Sequence, residues 1–176
     1  MAKVKASPQS WRNRIVGMGE EAPDQLLANV KNWRIHPKNQ QDALSGVLNS
    51  VGWVTGVIVN KRSGTIVDGH LRAALSISRN EPTIPVIYVD LTDAEEALIL
   101  ATLDPISAMA ATDADKLREL MELISTDEPA IGAMLAALGE SSGAIVPDFG
   151  VSSMDEQGRL DQIDPKTCPH CGGVLV

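Results

Sequence analysis

The sequence predicts an α+β fold: a small mixed sheet packed with helices, followed by a C-terminal helical hairpin and a flexible tail. Three observations carry this. Short β-branched runs, Val57-Ile58-Val59 and Ile66-Val67, read as strands. An Asp68-Gly69 step leads from the second run straight into a helix-spaced apolar segment, Ala73-Ala74-Leu75. Past Thr112 the apolar residues recur only at helical spacing, and past Gly139 the periodicity stops.

A chain of 176 residues with 44% apolar content can bury one main core, and three Trp, one Tyr and one Phe make that core aliphatic. The opening residues hold no long apolar run, and no run of eighteen or more follows, so a cytoplasmic protein without a membrane span is expected. The two cysteines, both in Cys168-Pro169-His170-Cys171, are too close together to staple a fold, which fits a reducing compartment. Net charge is −8, but residues 1–80 carry +6 and residues 81–176 carry −14. The acidic half would repel DNA, which excludes extended non-specific wrapping and leaves a local DNA contact by the basic half.

Residues 1–23, with Lys3, Lys5, Arg12 and Arg14 and no sustained period, read as a flexible basic arm. A brief apolar patch at Leu26, Leu27 and Val30 leads into Asn32-Trp33-Arg34-Ile35-His36-Pro37. Pro37 pushes His36 into an extended conformation, which leaves Arg34 and His36 on a loop. Ala43, Val47, Leu48 and Val51 then mark an amphipathic helix, capped by Asn39 and ended at Gly52. A hairpin follows: strand 56–60, turn Lys61-Arg62-Ser63-Gly64, and strand 65–67. The next helix runs from Gly69 to about Arg79, and Ile84 to Asp90 is a strand bracketed by Pro82 and Pro85.

Thr92-Asp93-Ala94-Glu95 has the form of a capping box, and Ala97, Leu98, Leu100, Ala101 and Leu103 predict a strongly buried helix behind it. Pro105 ends or kinks that helix, and Asp104 just ahead of it can point back at a site. Thr112 opens a further helix with Leu117, Leu120, Met121 and Ile124 on one face, and residues 129–138 form its antiparallel partner. Their Met and Leu stripe reads as core or as the face of a homodimer. The expected organisation is an arm (1–23), a main domain (24–110), a helical extension (111–139) and a linker with a Cys-x-x-Cys tail (140–176).

The turn at Asp68 carries the chemistry. A helix start offers free N–H groups and partial positive charge, and Asp68 can cap them. Gly69 lets the backbone approach a ligand, and His70 and Arg72 complete a pocket suited to phosphate. Arg34 and His36 are expected to close the opposite wall. In this pocket Asp68 and His70 are also the candidate catalytic pair for phosphoryl chemistry, His70 can donate a hydrogen bond or shuttle a proton, and Asp68 can help hold Mg²⁺. In the tail, Cys168 and Cys171 form one knuckle of the kind that binds Zn²⁺. Zinc needs four ligands, so His170 with another group completes the site, or two chains share an ion, or the tail holds no metal.

The motifs Asn32-Trp33-Arg34-Ile35-His36-Pro37, Val57-Ile58-Val59-Asn60, Ile66-Val67-Asp68-Gly69-His70-Leu71-Arg72 and Ile84-Pro85-Val86-Ile87 follow one another in a recognisable order. Over residues 24–110 the chain resembles the ParB/sulfiredoxin-like N-terminal domain. The resemblance implies a phage or mobile-element protein in DNA metabolism, but this fold serves nucleotide-gated DNA clamps, a sulfinic acid reductase, small-molecule kinases and nucleases alike. The partitioning members carry Gly-Glu-Arg-Arg at the second motif; Gly69 and Arg72 match, while His70 and Leu71 depart from it. The reductase needs a cysteine in a Gly-Cys-His-Arg run, which this stretch lacks. Asp-Gly-His-x-Arg is closer to the kinase branch and to phage ParB-like proteins, where Asp68, His70 and Arg72 would orient phosphate. The first reading is therefore a nucleotide- or DNA-phosphate-binding protein, with a nucleoside triphosphate and Mg²⁺ as the implied ligand and a phosphotransferase or nuclease using Asp68 and His70 as the alternative. A third reading is an adaptor that recruits a partner through the acidic helices and tail. The partitioning proteins continue into a helix-turn-helix DNA reader, whereas residues 112–138 here are short and acidic.

Overall fold

The computed structural model describes residues 10–145 together with the backbone of residues 166–167 and 174–175. The chain divides into two compact units, Met1–Ile145 and Val146–Val176. In the first, strands β1 (Ile15–Glu21), β2 (Val57–Asn60), β3 (Ile66–Asp68) and β4 (Ile84–Val89) form one sheet in the order β1-β4-β2-β3. The β2–β3 hairpin is antiparallel, β4 runs parallel to β2, and β1 runs antiparallel to β4. The expected mixed sheet is present, and β3 lies at its edge with Asp68 as its last residue.

Side chains alternate across this sheet as the two-residue period of a strand requires. Val57, Val59, Ile66, Ile84 and Val86 pack with Ala73 of helix α2 (His70–Ser78) on one face. Val67 and Val89 pack with Leu91 and with Leu100 of helix α3 (Asp93–Ala108) on the other. Each face thus buries a branched aliphatic layer under one helix. Helix α1 (Lys38–Ser50) is covered in turn by α5 (Pro129–Ser142). Gly46 permits their approach: a Cβ there would lie 3.1 Å from Cγ1 of Ile131. Helix α4 (Ala114–Glu122) also packs on α5, giving the expected helical pair.

Four expectations are corrected. The arm is not structureless throughout, because Ile15–Glu21 forms β1. Arg14 anchors it by donating from Nε to the Asp90 carbonyl (2.7 Å) and from Nη2 to Glu95 (2.7 Å), while Thr83 Oγ1 donates to Glu20 (3.0 Å). Helix α1 starts at Lys38 with Pro37 at its N-cap, two residues earlier than an Asn39 cap allows. Asp113, not Thr112, caps α4 by accepting from the Lys116 amide. Helix α3 keeps its capping box and runs on through Pro105, but it buries only Glu96 and Leu100; Leu98 is 60% exposed. A helix apolar on every side gives no signal of which stripe faces the core.

Among the described residues no helix is long and apolar enough to cross a membrane. In the second unit, β5 (Lys166–Thr167) pairs antiparallel with β6 (Val174–Leu175). Cys168 and Cys171, the candidate zinc ligands, lie outside the described residues.

Candidate functional site

Helix α2 begins in a conformation that only its sequence permits. Its N-cap is Gly69, at φ +92° and ψ +18°, in the left-handed region. A Cβ there would face strain and would sit 3.1 Å from Arg72 Nη2 and 3.2 Å from Val57 Cα. Among the described residues no side chain caps the helix, and the expected capping role of Asp68 is not filled. The Asp68 carboxylate is taken up by two arginines. Arg72, one turn along α2, donates from Nη2 to Oδ2 at 2.8 Å, and Arg34 reaches Oδ1 from the opposite loop at 3.5 Å. The free amides of the first turn of α2 therefore stay without a side-chain acceptor.

Arg34 also contacts Asp104 of α3, whose Oδ2 lies 2.7 Å from Nε. That contact is close but not aligned as a hydrogen bond, and Nε and Nη2 of Arg34, like Nε of Arg72, are buried donors without a partner among the described residues. The loop holding Arg34 is pinned on three sides. Trp33 donates from Nε1 to the Leu100 carbonyl (3.1 Å), and its ring lies under the Arg34 guanidinium at 5.9 Å. His36 Nδ1 meets Gln40 Oε1 (3.0 Å), and Gln41 donates to the His36 carbonyl (2.8 Å). Asn29 anchors the start of the loop.

All six residues expected at the pocket, Arg34, His36, Asp68, Gly69, His70 and Arg72, line one cavity of about 170 Å³. Asp104 borders it as well. Two guanidiniums face two carboxylates, so the pocket is nearly balanced in charge. A second, largely apolar cavity of about 490 Å³, lined by residues such as Leu26, Ile66, Ala74 and Ile77, adjoins it and shares His36, His70 and Leu71. The arrangement can take an anionic group on the arginines and the helix start, with an attached uncharged body in the apolar cavity.

Sequence reasoning missed the polar network behind this pocket. Glu96 is only 4% exposed. Its carboxylate accepts from Asn29 Nδ2 (2.8 Å), Asn60 Nδ2 (2.5 Å) and Ser63 Oγ (2.6 Å). Burial on its own raises the Glu96 pKa, but the bonds from Ser63, Asn60 and Asn29, helped by Lys31, bring it below the ordinary carboxylate value. The one available signal was a glutamate at i−4 from the buried Leu100. Asn29 in turn donates its main-chain N–H to Nε2 of His70 at 3.3 Å. Burial lowers the His70 pKa, Asp68 opposes that, and Arg34 and His36 lower it further, so the ring is neutral at pH 7.

No protein-family model matches the sequence, and no curated protein matches it. Among solved structures, the C-terminally truncated chromosome-partitioning protein ParB from Caulobacter crescentus, complexed with CTP-γ-S, is similar with a TM-score of 0.51 at 20% identity. The likeness covers 68% of this chain and 71% of that one. Two structures of a pNOB8-like ParB N-domain give TM-scores of 0.44 and 0.45, each at 12% identity, over 72% and 76% of this chain. In both, the match covers about half of the other chain, 48%. At 20% identity the likeness to the first of these is one of architecture. This chain has a ParB-like fold.

Proposed function

We propose that this chain is a nucleoside-triphosphate-binding ParB-like protein that acts in the DNA metabolism of a phage or mobile element. The observation that carries this reading is the convergence of Arg34, Arg72 and the start of α2 on one cavity, with Nη2 of Arg34 and Nε of Arg72 lacking a hydrogen-bond partner among the described residues. Such donors suit phosphate oxygens, and the helix start adds amides and positive potential. The adjoining apolar cavity suits the nucleoside. The partitioning protein of similar fold was seen with a CTP analogue, which supports a triphosphate here.

Among the described residues no group of three or more His, Cys, Asp or Glu is placed to hold a metal ion. Asp68 or Asp104 would be the protein ligand for a Mg²⁺ ion brought in with the phosphates, and the ion would supply charge neutralisation there. Asp68 is engaged by two arginines and His70 Nε2 by an amide, and this favours binding over the phosphotransferase or nuclease reading. Local DNA contact through the basic first half and pairing of two chains belong to the same proposal.

Calorimetric titration with CTP, ATP and GTP in the presence of Mg²⁺ tests it, with wild type and Arg72→Ala compared. One nucleotide is expected to bind, and loss of a desolvated charged contact worth about 2 kcal/mol or more weakens it by about 30-fold or more in the variant. Absence of binding by all three nucleotides, or binding indifferent to Arg72, overturns the reading.

A further inference from the structure

The network that reaches His70 from the far side of the sheet has a consequence for the chemistry of the pocket. Glu96 sits on α3, beneath the β2–β3 turn, and is 4% exposed. Among the described residues no cation forms an ion pair with it; its charge is met by neutral donors from Asn29, Asn60 and Ser63, with Thr65 Oγ1 at 3.5 Å. Hydrogen bonds to an ionised acceptor are stronger than neutral ones. The Asn29 side chain, bonded to Glu96 at 2.8 Å and to Thr65 Oγ1 at 3.0 Å, is therefore held firmly, and Asn29 itself is 6% exposed. Its Oδ1 accepts from the Lys31 amide (3.0 Å), which fixes the local turn of the loop. The main-chain N–H of Asn29 consequently has one direction, toward Nε2 of His70.

An N–H group can bond only to a ring nitrogen that carries no proton. A neutral imidazole with a bare Nε2 holds its single proton on Nδ1, the reverse of the tautomer an imidazole side chain prefers in water. We propose that Glu96 and Asn29 are positioning residues that lock His70 in the Nδ1–H tautomer, so that the ring offers the ligand a hydrogen-bond donor and no base. Burial disfavours a charge on the ring, Asp68 at the end of β3 favours one, and Arg34 and His36 on the loop oppose Asp68, while Glu96 on α3 acts through Asn29. A protonated ring would place two N–H groups against each other at Nε2.

This inference deepens the reading of the pocket as a phosphate site, yet its test needs no ligand. Long-range ¹H–¹⁵N correlation spectra of the full chain near pH 7 report which ring nitrogen carries the proton, and the His70→Gln spectrum identifies the signal among three histidines. The expected wild-type pattern is a protonated Nδ1 and a bare Nε2. In Asn29→Ala and in Glu96→Gln the ring should move toward Nε2–H, with its titration midpoint shifted, while backbone amide signals of the sheet stay in place. A wild-type ring protonated at Nε2 overturns the proposal. So does an unchanged tautomer and midpoint in a folded Asn29→Ala or Glu96→Gln. Failure of nucleotides to bind would leave the tautomer result standing, so the two readings fail separately.

Discussion

Asp68→Asn separates the two roles open to that carboxylate. The side chains of Asp68, Arg34 and Arg72 are 21%, 14% and 19% exposed, and the aspartate holds both arginines. Breaking a fully buried pair costs about 3–5 kcal/mol, and an exposed pair is worth about 1 kcal/mol or less. A cluster about one-fifth exposed lies between, so Asn, which keeps the shape and one acceptor, is expected to cost about 2 kcal/mol. For a unit of this size that lowers Tm by about 7 °C. The same change leaves the pocket with one more net positive charge, so an anionic ligand should bind better and restore more stability than it adds to wild type. Thermal unfolding followed by circular dichroism, at fixed ionic strength with and without the bound triphosphate, reads both effects. An unchanged Tm would refute the ion-pair argument. Loss of the ligand-induced stabilisation would refute the counter-ion role and make Asp68 a direct ligand of the phosphate-bound metal.

Two further outcomes follow from the same geometry. The folded-state pKa values of His70 and Glu96 both lie below their ordinary values of 6.5 and 4.5. The unfolded chain therefore takes up protons first as pH falls, and stability should drop in two stages, below 6.5 through His70 and below 4.5 through Glu96. Denaturant melts across that range check this, and His70→Gln should remove the upper stage while leaving the lower. Gly69→Ala should cost about 1–2 kcal/mol from the left-handed conformation alone. Its Cβ also crowds Arg72, so calorimetry should show nucleotide affinity falling in a variant that still unfolds cooperatively. Unchanged affinity would place the ligand away from the start of α2.

The elements legible in the sequence are those set by local chemistry. The Lys61–Gly64 turn, the β-branched runs beside it and the Thr92–Glu95 capping box each need only neighbouring residues, and each appears where expected. Strand β1 does not work that way. Ile15 to Glu21 contains two glycines and two acids, and its pairing depends on β4, about 70 residues away, and on Arg14 meeting Asp90 and Glu95. Arg34, His36, Asp68, Gly69, His70 and Arg72 line one cavity because their two motifs flank a helix and a hairpin that bring them together. The ion pairs of Asp68 were not foreseen, because an aspartate before Gly69 also suits a cap, and only the placement of Arg34 decides between them. Asn29 carries no local signal and Glu96 only its spacing from Leu100: a lone loop asparagine and one glutamate in an acidic helix start acquire meaning only when the fold buries them against each other.

The central claim is that a triphosphate sits on Arg34, Arg72 and the first turn of α2. Amide and arginine Nε chemical shifts recorded while the tightest of CTP, ATP and GTP is titrated with Mg²⁺ test it most directly. The account predicts the largest changes at the amides of Gly69, His70 and Leu71 and at Nε of Arg34 and Arg72, with smaller ones along Leu26, Ile66 and Ile77 of the apolar cavity. Changes confined to other surfaces, with these five groups unmoved, would contradict it.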